Sequence, residues 1–225
     1  PGPAVALPTP DHDKVGLSLD RTTIPVTPGS SATLTVEVHN NSSLVDHFMI
    51  SVEGLPPAWV TVPTQPIYLL PNNRETASIT FHPPLKSSST AGAHAFEVRV
   101  STRAQGVVSV ARQASLVIAP FRNFVIKLQP ERIRRRGMPE LSIENTGNTF
   151  DTYTIHPRDR EQMIVFHTPG TQFTLGPGQD TYVPIKVRPR RRPFTGVANS
   201  LPFEVTVTSQ EDSVPPQTQR GEQIG

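Results

Sequence analysis

Apolar and polar residues alternate with a period of two along much of this chain. In SATLTVEVHN (31–40), Leu34, Val36 and Val38 fall on one side and Thr33, Thr35 and Glu37 on the other. That spacing is the mark of a β-strand with one buried face. DHFMISVEG (46–54) repeats it with Phe48, Ile50 and Val52. Shorter runs precede these (VGLSLD, TIPV) and follow them (PIYLL, TASITFHPP, AFEVRVST, VSVARQASLVI), separated by turn chemistry such as TPGSS and PNN. The pattern predicts an all-β fold, with seven or eight short strands of an Ig-like β-sandwich over residues 15–118.

The same pattern returns further on. VEVHNNSSLVDHFMISV (36–52) matches LSIENTGNTFDTYTIHP (141–157) at an offset of 105, so that Asn40 falls on Asn145, Asp46 on Asp151 and Phe48 on Tyr153. Leu70 is aligned with Leu175 at the same offset, ITFHPP with IKVRPR at 106, and Phe96 with Phe203 at 107. Three ordered matches with so little drift predict one folding unit used twice. The expected organisation is a Pro-rich lead-in at 1–14, one sandwich at 15–118, a duplicate at 121–210 and a polar tail at 211–225. The junction IAPFRNF (118–124) carries Pro120 between apolar neighbours and is expected to be short and stiff.

Composition narrows the picture. Twenty-five prolines against 14 glycines disfavour a helical protein, because each proline removes a backbone donor and breaks helix interiors. With no cysteine, neither disulfides nor thiolate sites are possible. No apolar run approaches the roughly 20 residues a spanning helix needs, so no membrane insertion is expected. A chain that starts at Pro1 reads as a processed protein or a fragment.

The phrases VTPGSSATLTVEVHNNSSLVDHFMISVEGLPPAWV and LGPGQDTYVPIKVRP resemble the prokaryotic tandem Ig-like repeat domains of the NEW3 and CARDB type, over roughly residues 15–210. The shared elements are PG before a strand, N-x5-D-x-[F/Y]-x-I, GLPxxW and a closing FEVxVT. The second body has RRRGMPE (134–140) and no Trp where the first has PG and GLPxxW. The resemblance implies a spacer, scaffold or adhesive module in a large bacterial protein, at the cell surface or in a cytoplasmic assembly. Some relatives sit in chains labelled hydrolytic, but the repeat pattern itself contains no catalytic residue.

Candidate chemistry is sparse. No GxSxG, HExxH or EF-hand loop is present. The seven histidines (12, 39, 47, 82, 94, 156 and 167) are scattered, and only His39 and His47 flank one turn. Asp11, His12 and Asp13 lie in the lead-in and read as solvated. No catalytic residue, metal ligand or cofactor is expected. Asp46 and Asp151 are expected to cap backbone N–H groups where a strand begins, and Asn40 and Asn145 to hold the turn before it. Trp59 is expected to be a core or rim plug, and Phe48, Phe96, Tyr153 and Phe203 are structural positions of the repeat.

Charge is the one feature beyond scaffold. The formal net charge is only +2, yet the second body holds 13 basic residues against 8 acidic ones. The excess lies in ERIRRRG, with Arg132, Arg134, Arg135 and Arg136, and in KVRPRRRP, with Lys186, Arg188, Arg190, Arg191 and Arg192. Guanidinium forks bind carboxylates and phosphates. Three readings stay open: solvated loops, a docking face for an acidic protein neighbour and, least favoured, a nucleic-acid or other polyanion site. Whether the two clusters share one end of the sandwich is not decided by sequence.

The expected function is a non-catalytic structural and protein-interaction module within a larger assembly. The alternative is a carbohydrate- or polyanion-binding module, for which only Trp59 and three tyrosines (68, 153, 182) offer aromatic surface. The partner and the oligomeric state are left open.

Overall fold

The computed structural model describes residues 14–102, 109–134, 137–190 and 200–224, and no α-helix occurs among them. The sheets are sandwich-like, and the chain divides into two compact units: residues 1–85 with 91–119, and residues 86–90 with 120–225.

In the first unit the alternating runs form β1 (Val15–Leu19), β2 (Thr23–Val26), β3 (Ala32–Asn40), β4 (Asp46–Glu53) and β5 (Val60–Thr61). They are followed by β6 (Ile67–Leu69), β7 (Arg74–Phe81), β8 (Gly92–Thr102) and β9 (Ser109–Ile118). One sheet has the order β1-β3-β7-β5 and the other β2-β9-β8-β4-β6. Every pairing is antiparallel except β2 with β9. The apolar sides of the alternating strands meet in one core, where Leu34, Val36, Val38, Ile79, Phe81, Val98, Val100 and Leu116 are wholly buried. Each such side chain stabilises the fold by about 1.5–3 kcal/mol relative to exposure. A single 3-10 turn at Pro57–Trp59 swings Trp59 into that core, and the Trp59 carbonyl accepts from the His82 N–H at 2.8 Å.

The second unit contains β10 (Phe124–Gln129), β11 (Arg132–Arg134), β12 (Glu140–Asn145), β13 (Asp151–Arg158) and β14 (Ile164–His167). Then come β15 (Gln172–Leu175), β16 (Asp180–Pro184), β17 (Lys186–Pro189), β18 (Ser200–Ser209) and β19 (Gln217–Ile224). Its sheets run β10-β12-β16 and β11-β19-β18-β13-β15, with a small β14-β17 sheet. The pairing repeats that of the first unit residue for residue. Val15 opposes Asn40 as Phe124 opposes Asn145. Phe48 opposes Thr102 as Tyr153 opposes Ser209. The parallel pair recurs as β11 with β19. The units differ at β7, a single run in the first whose counterpart is split at Ile185 into β16 and β17 in the second.

Two sequence expectations are corrected. Residues 211–225 were expected to be a polar tail, but 217–224 form β19, which pairs along its length with β18 and on its other side with β11. Its inward positions are Gly221 and Gln223 rather than large apolar residues, so no hydrophobic period announces it. A Cβ at Gly221 would sit 2.3 Å from the Phe203 ring, so the missing side chain is what lets Phe203 fill the space. The second correction concerns Leu70, which is exposed. Leu69, buried, opposes Asp46 as Leu175 opposes Asp151, so the true equivalent of Leu175 is Leu69.

Candidate interaction surface

The polar residues that recur in both units are engaged in holding backbone. Asn40 is fully buried; its amide donates to the Leu44 carbonyl at 2.8 Å and the Leu69 carbonyl at 3.0 Å, while its Oδ1 accepts from the Ser42 N–H at 3.0 Å. Asp46 Oδ1 accepts from the His47 N–H at 2.6 Å, and Thr102 Oγ1 donates to Asp46 Oδ2. In the second unit Asp151 Oδ1 accepts from the Thr152 N–H at 2.7 Å, and Ser209 Oγ donates to Asp151 Oδ2 at 2.6 Å. A buried polar group left without such partners costs about 1–3 kcal/mol, which explains why these three side chains are tied so fully.

The aromatic repeat positions lie in the cores. Phe48 and Phe96 are buried in the first unit, with Phe96 5.0 Å from Phe81 between ring centres. Tyr153 and Phe203 are buried in the second, 4.9 Å from Phe124 and 5.7 Å from Phe166 respectively. Burial and the neighbouring Asp151 charge push the Tyr153 phenol above its ordinary pKa range. His39 lies on β3, and the His47 ring lies 4.1 Å from that of Tyr68. Among the described residues no group of three or more His, Asp or Glu is placed to hold a metal ion, and no helix is long and apolar enough to cross a membrane.

The described members of the two basic segments lie on and beside β11 and β17. Arg132 and Arg134 flank the buried Ile133 on β11, and Lys186 and Arg188 flank the buried Val187 on β17. Residues 137–139 continue the β12 ladder: the Ile185 N–H donates to the Pro139 carbonyl at 2.8 Å and the Val187 N–H to the Gly137 carbonyl at 3.3 Å. That ladder sets Gly137, three residues beyond Arg134, beside Val187, which lies between Lys186 and Arg188 on β17. Arg132 pairs with Glu222 at 3.1 Å, whereas no ion pair among the described residues engages Arg134, Lys186, Arg188 or Arg190. All five are exposed. Arg135, Arg136, Arg191 and Arg192, the remaining sequence candidates, lie outside the described residues, as do Asp11, His12 and Asp13.

Sequence reasoning missed a second charged feature, in which arginines and carboxylates balance, because its members are far apart along the chain. Arg158 and Arg220 oppose Glu204 from the strands on either side, and Arg220 Nε lies 3.2 Å from Glu204 Oε1. With Arg160 and Phe203 they line an open groove of about 310 Å³. The neighbouring Asp159 carboxylate is occupied in accepting the Glu161, Met163 and Ile164 N–H groups at 2.9, 2.6 and 2.9 Å.

No protein-family model matches the sequence, and no curated protein matches it. Among solved structures, the chain is similar to a protein of unknown function from Porphyromonas gingivalis W83 (12% identity, 93% of this chain and 99% of that one, TM-score 0.37). It is also similar to a PapD-like domain of human CEP192 (16% identity, 53% of this chain and 94% of that one, TM-score 0.38). A third similar structure is the CupB2 chaperone of Pseudomonas aeruginosa (12% identity, 90% of this chain and 96% of that one, TM-score 0.33). With TM-scores of 0.33 to 0.38, these likenesses assign the chain to no family.

Proposed function

We propose that this chain is a non-catalytic protein-interaction module, a scaffold of tandem Ig-like sandwiches joined by a short stiff connector within a larger bacterial assembly. Its docking surface is the basic end of the second unit. The observation that supports this reading is the Val187–Gly137 backbone bond, which sets β17, with the exposed Lys186, Arg188 and Arg190, beside a residue only three positions beyond Arg134. Cations held out on paired strands, with buried Ile133 and Val187 anchoring them, are preorganised to meet carboxylates. The recurring buried carboxylates and amides already hold turns, which supports a structural rather than catalytic use for them.

The test is affinity capture from the native host's extract, comparing the intact chain with a variant carrying Arg132, Arg134, Arg188 and Arg190 changed to Ser. Four exposed charge contacts at about 0.2–1 kcal/mol each predict a loss of at least several-fold in retained partner. Equal recovery by both proteins would refute the basic end as the docking surface. Recovery of a salt-released polysaccharide or nucleic acid in place of a protein would favour the polyanion-binding alternative.

A further inference from the structure

The basic strand β17 is half of a larger surface. Because residues 137–139 extend the β12 ladder to β17, the outward side of this sheet is continuous from Asp180 to Arg190. Its side chains stand in rows about 6.8 Å apart along the strands. Val125, Glu144 and Asp180 form the first row; Lys127, Ser142 and Tyr182 the second; Gln129, Glu140 and Pro184 the third. Beyond them come Lys186 opposite His167, Arg188 opposite Val165, and Arg190.

One half of this face is therefore acidic, with Glu140, Glu144 and Asp180 against the single Lys127, and the other half is basic. No ion pair among the described residues engages Glu140, Glu144, Asp180, Lys186, Arg188 or Arg190. The crowding of like charge is felt by Tyr182, whose phenol is held above its ordinary pKa by a hydrogen bond to Asp180 and by the charges of Asp180, Glu140 and Glu144. Large apolar side chains are exposed on the same face: Tyr182 at 60%, Val125 at 50% and Met138 at 62%.

The scaffold does not require this arrangement. The equivalent positions on β3 and β7 of the first unit are largely hydroxyls (Thr33, Thr35, Thr76, Ser78 and Thr80), and the opposed charges there, Glu37 and Arg74, pair internally at 3.3 Å. A face whose two ends carry opposite charge is complementary to the same face of a second copy related by a two-fold axis that lies in the interface and runs perpendicular to the strands. With the axis crossing midway between Pro184 and Lys186, Asp180 of one copy meets Arg190 of the other, Tyr182 meets Arg188, and the row of Glu140 and Pro184 meets that of Lys186.

We propose that this face binds the same face of a second copy of the chain, the acidic rows of one lying on the basic rows of the other. Such an isologous two-fold contact is the commonest way in which identical chains associate. The inference rests on the reading of β17 as a docking element and names one occupant for it.

Sedimentation of the purified full chain tests it. The wild type is expected to dimerise at about 0.05 M salt, with a dissociation constant raised at least about tenfold at 0.5 M salt, where the Debye length is far shorter. Two variants make the face uniformly charged: Glu140→Lys with Glu144→Lys and Asp180→Lys, and Lys186→Glu with Arg188→Glu and Arg190→Glu. Each alone is expected to be monomeric, and an equimolar mixture to form a one-to-one pair. Arg188→Glu alone, a milder change at an exposed position, is expected to weaken the dimer at least tenfold. A wild type that stays monomeric at low salt, variants that dimerise like the wild type, or a mixture that does not pair would each overturn the proposal. If the wild type is monomeric while its basic end still captures a partner from extract, only the self-association fails.

Discussion

Asn40 and Asn145 share three side-chain bonds in the two units, and Asn40 Oδ1 accepts a fourth from Ser42 Oγ at 2.7 Å. The Asn145 amide donates to the carbonyls of Thr149 and Leu175 at 2.9 and 3.0 Å, and its Oδ1 accepts from the Gly147 N–H at 3.0 Å, each matched by a bond at Asn40. The backbone carbonyls of both accept from a residue with positive φ two positions before the next long strand, Asn72 (φ 62) and Gly178 (φ 69). One amide thus joins the end of a strand, the turn after it and the neighbouring sheet.

Removing that amide strands buried backbone groups. Asn145→Ala is predicted to destabilise the second unit by about 3 kcal/mol, and Asn40→Ala the first by a similar amount. Chemical denaturation checks both. A change below about 1 kcal/mol would mean that water replaces the side chain easily.

Tyr153 offers a prediction of opposite sign. It stands where the first unit has Phe48, is fully buried, and its hydroxyl has no hydrogen-bond partner among the described residues. Tyr153→Phe is expected to stabilise the protein by about 1 kcal/mol, because an unsatisfied hydroxyl is removed without leaving a cavity. The pH dependence follows from the raised phenol pKa. Below the ordinary value of 10.0 both states hold the neutral phenol, so its contribution is fully present. Above it the unfolded chain ionises first, and stability falls as pH rises towards the folded pKa. Thermal unfolding of Tyr153→Phe should therefore lose less stability than the wild type between about pH 10 and 11. Parallel curves would contradict the assignment.

The strands rich in Val, Ile and Phe were legible because each alternates around one buried side, and so was the recurrence of Asn40, Asp46 and Phe48 as Asn145, Asp151 and Tyr153. Strand β19 was hidden for a physical reason: QTQRGEQI buries Gly221 and Gln223, and the Phe203 ring supplies the bulk that an apolar residue would bring. One signal could have found it. FEVRVST in the first body is followed by a further strand, so the recurrence itself calls for a strand after FEVTVTS. The one-residue error at Leu70 arose because two leucines adjoin and only pairing distinguishes the buried one. The placing of β17 beside the segment that follows β11 was illegible, since it depends on the ladder between residues 137–139 and 185–187.

If β19 is integral, ending the chain at Gln210 should unfold the second unit, since β11 loses its partner and β18 one of its two. Gly221→Ala is a finer probe. Its methyl group would collide with the Phe203 ring and is expected to cost about 1–3 kcal/mol. The first unit has Ala114 at the equivalent place opposite Phe96, so Ala114→Gly there should lack any such relief of crowding. Calorimetry of the three variants distinguishes these effects, and a folded second unit without residues 211–225 would contradict the pairing described.

The central claim, that the basic end of the second unit is where this chain meets other proteins, is tested most directly by position-specific crosslinking in the native host. A photoreactive residue would be placed at Arg188, and another at Thr35 on the equivalent sheet of the first unit. The account predicts a discrete protein adduct from position 188 and none from position 35. An adduct from position 35 alone would contradict it.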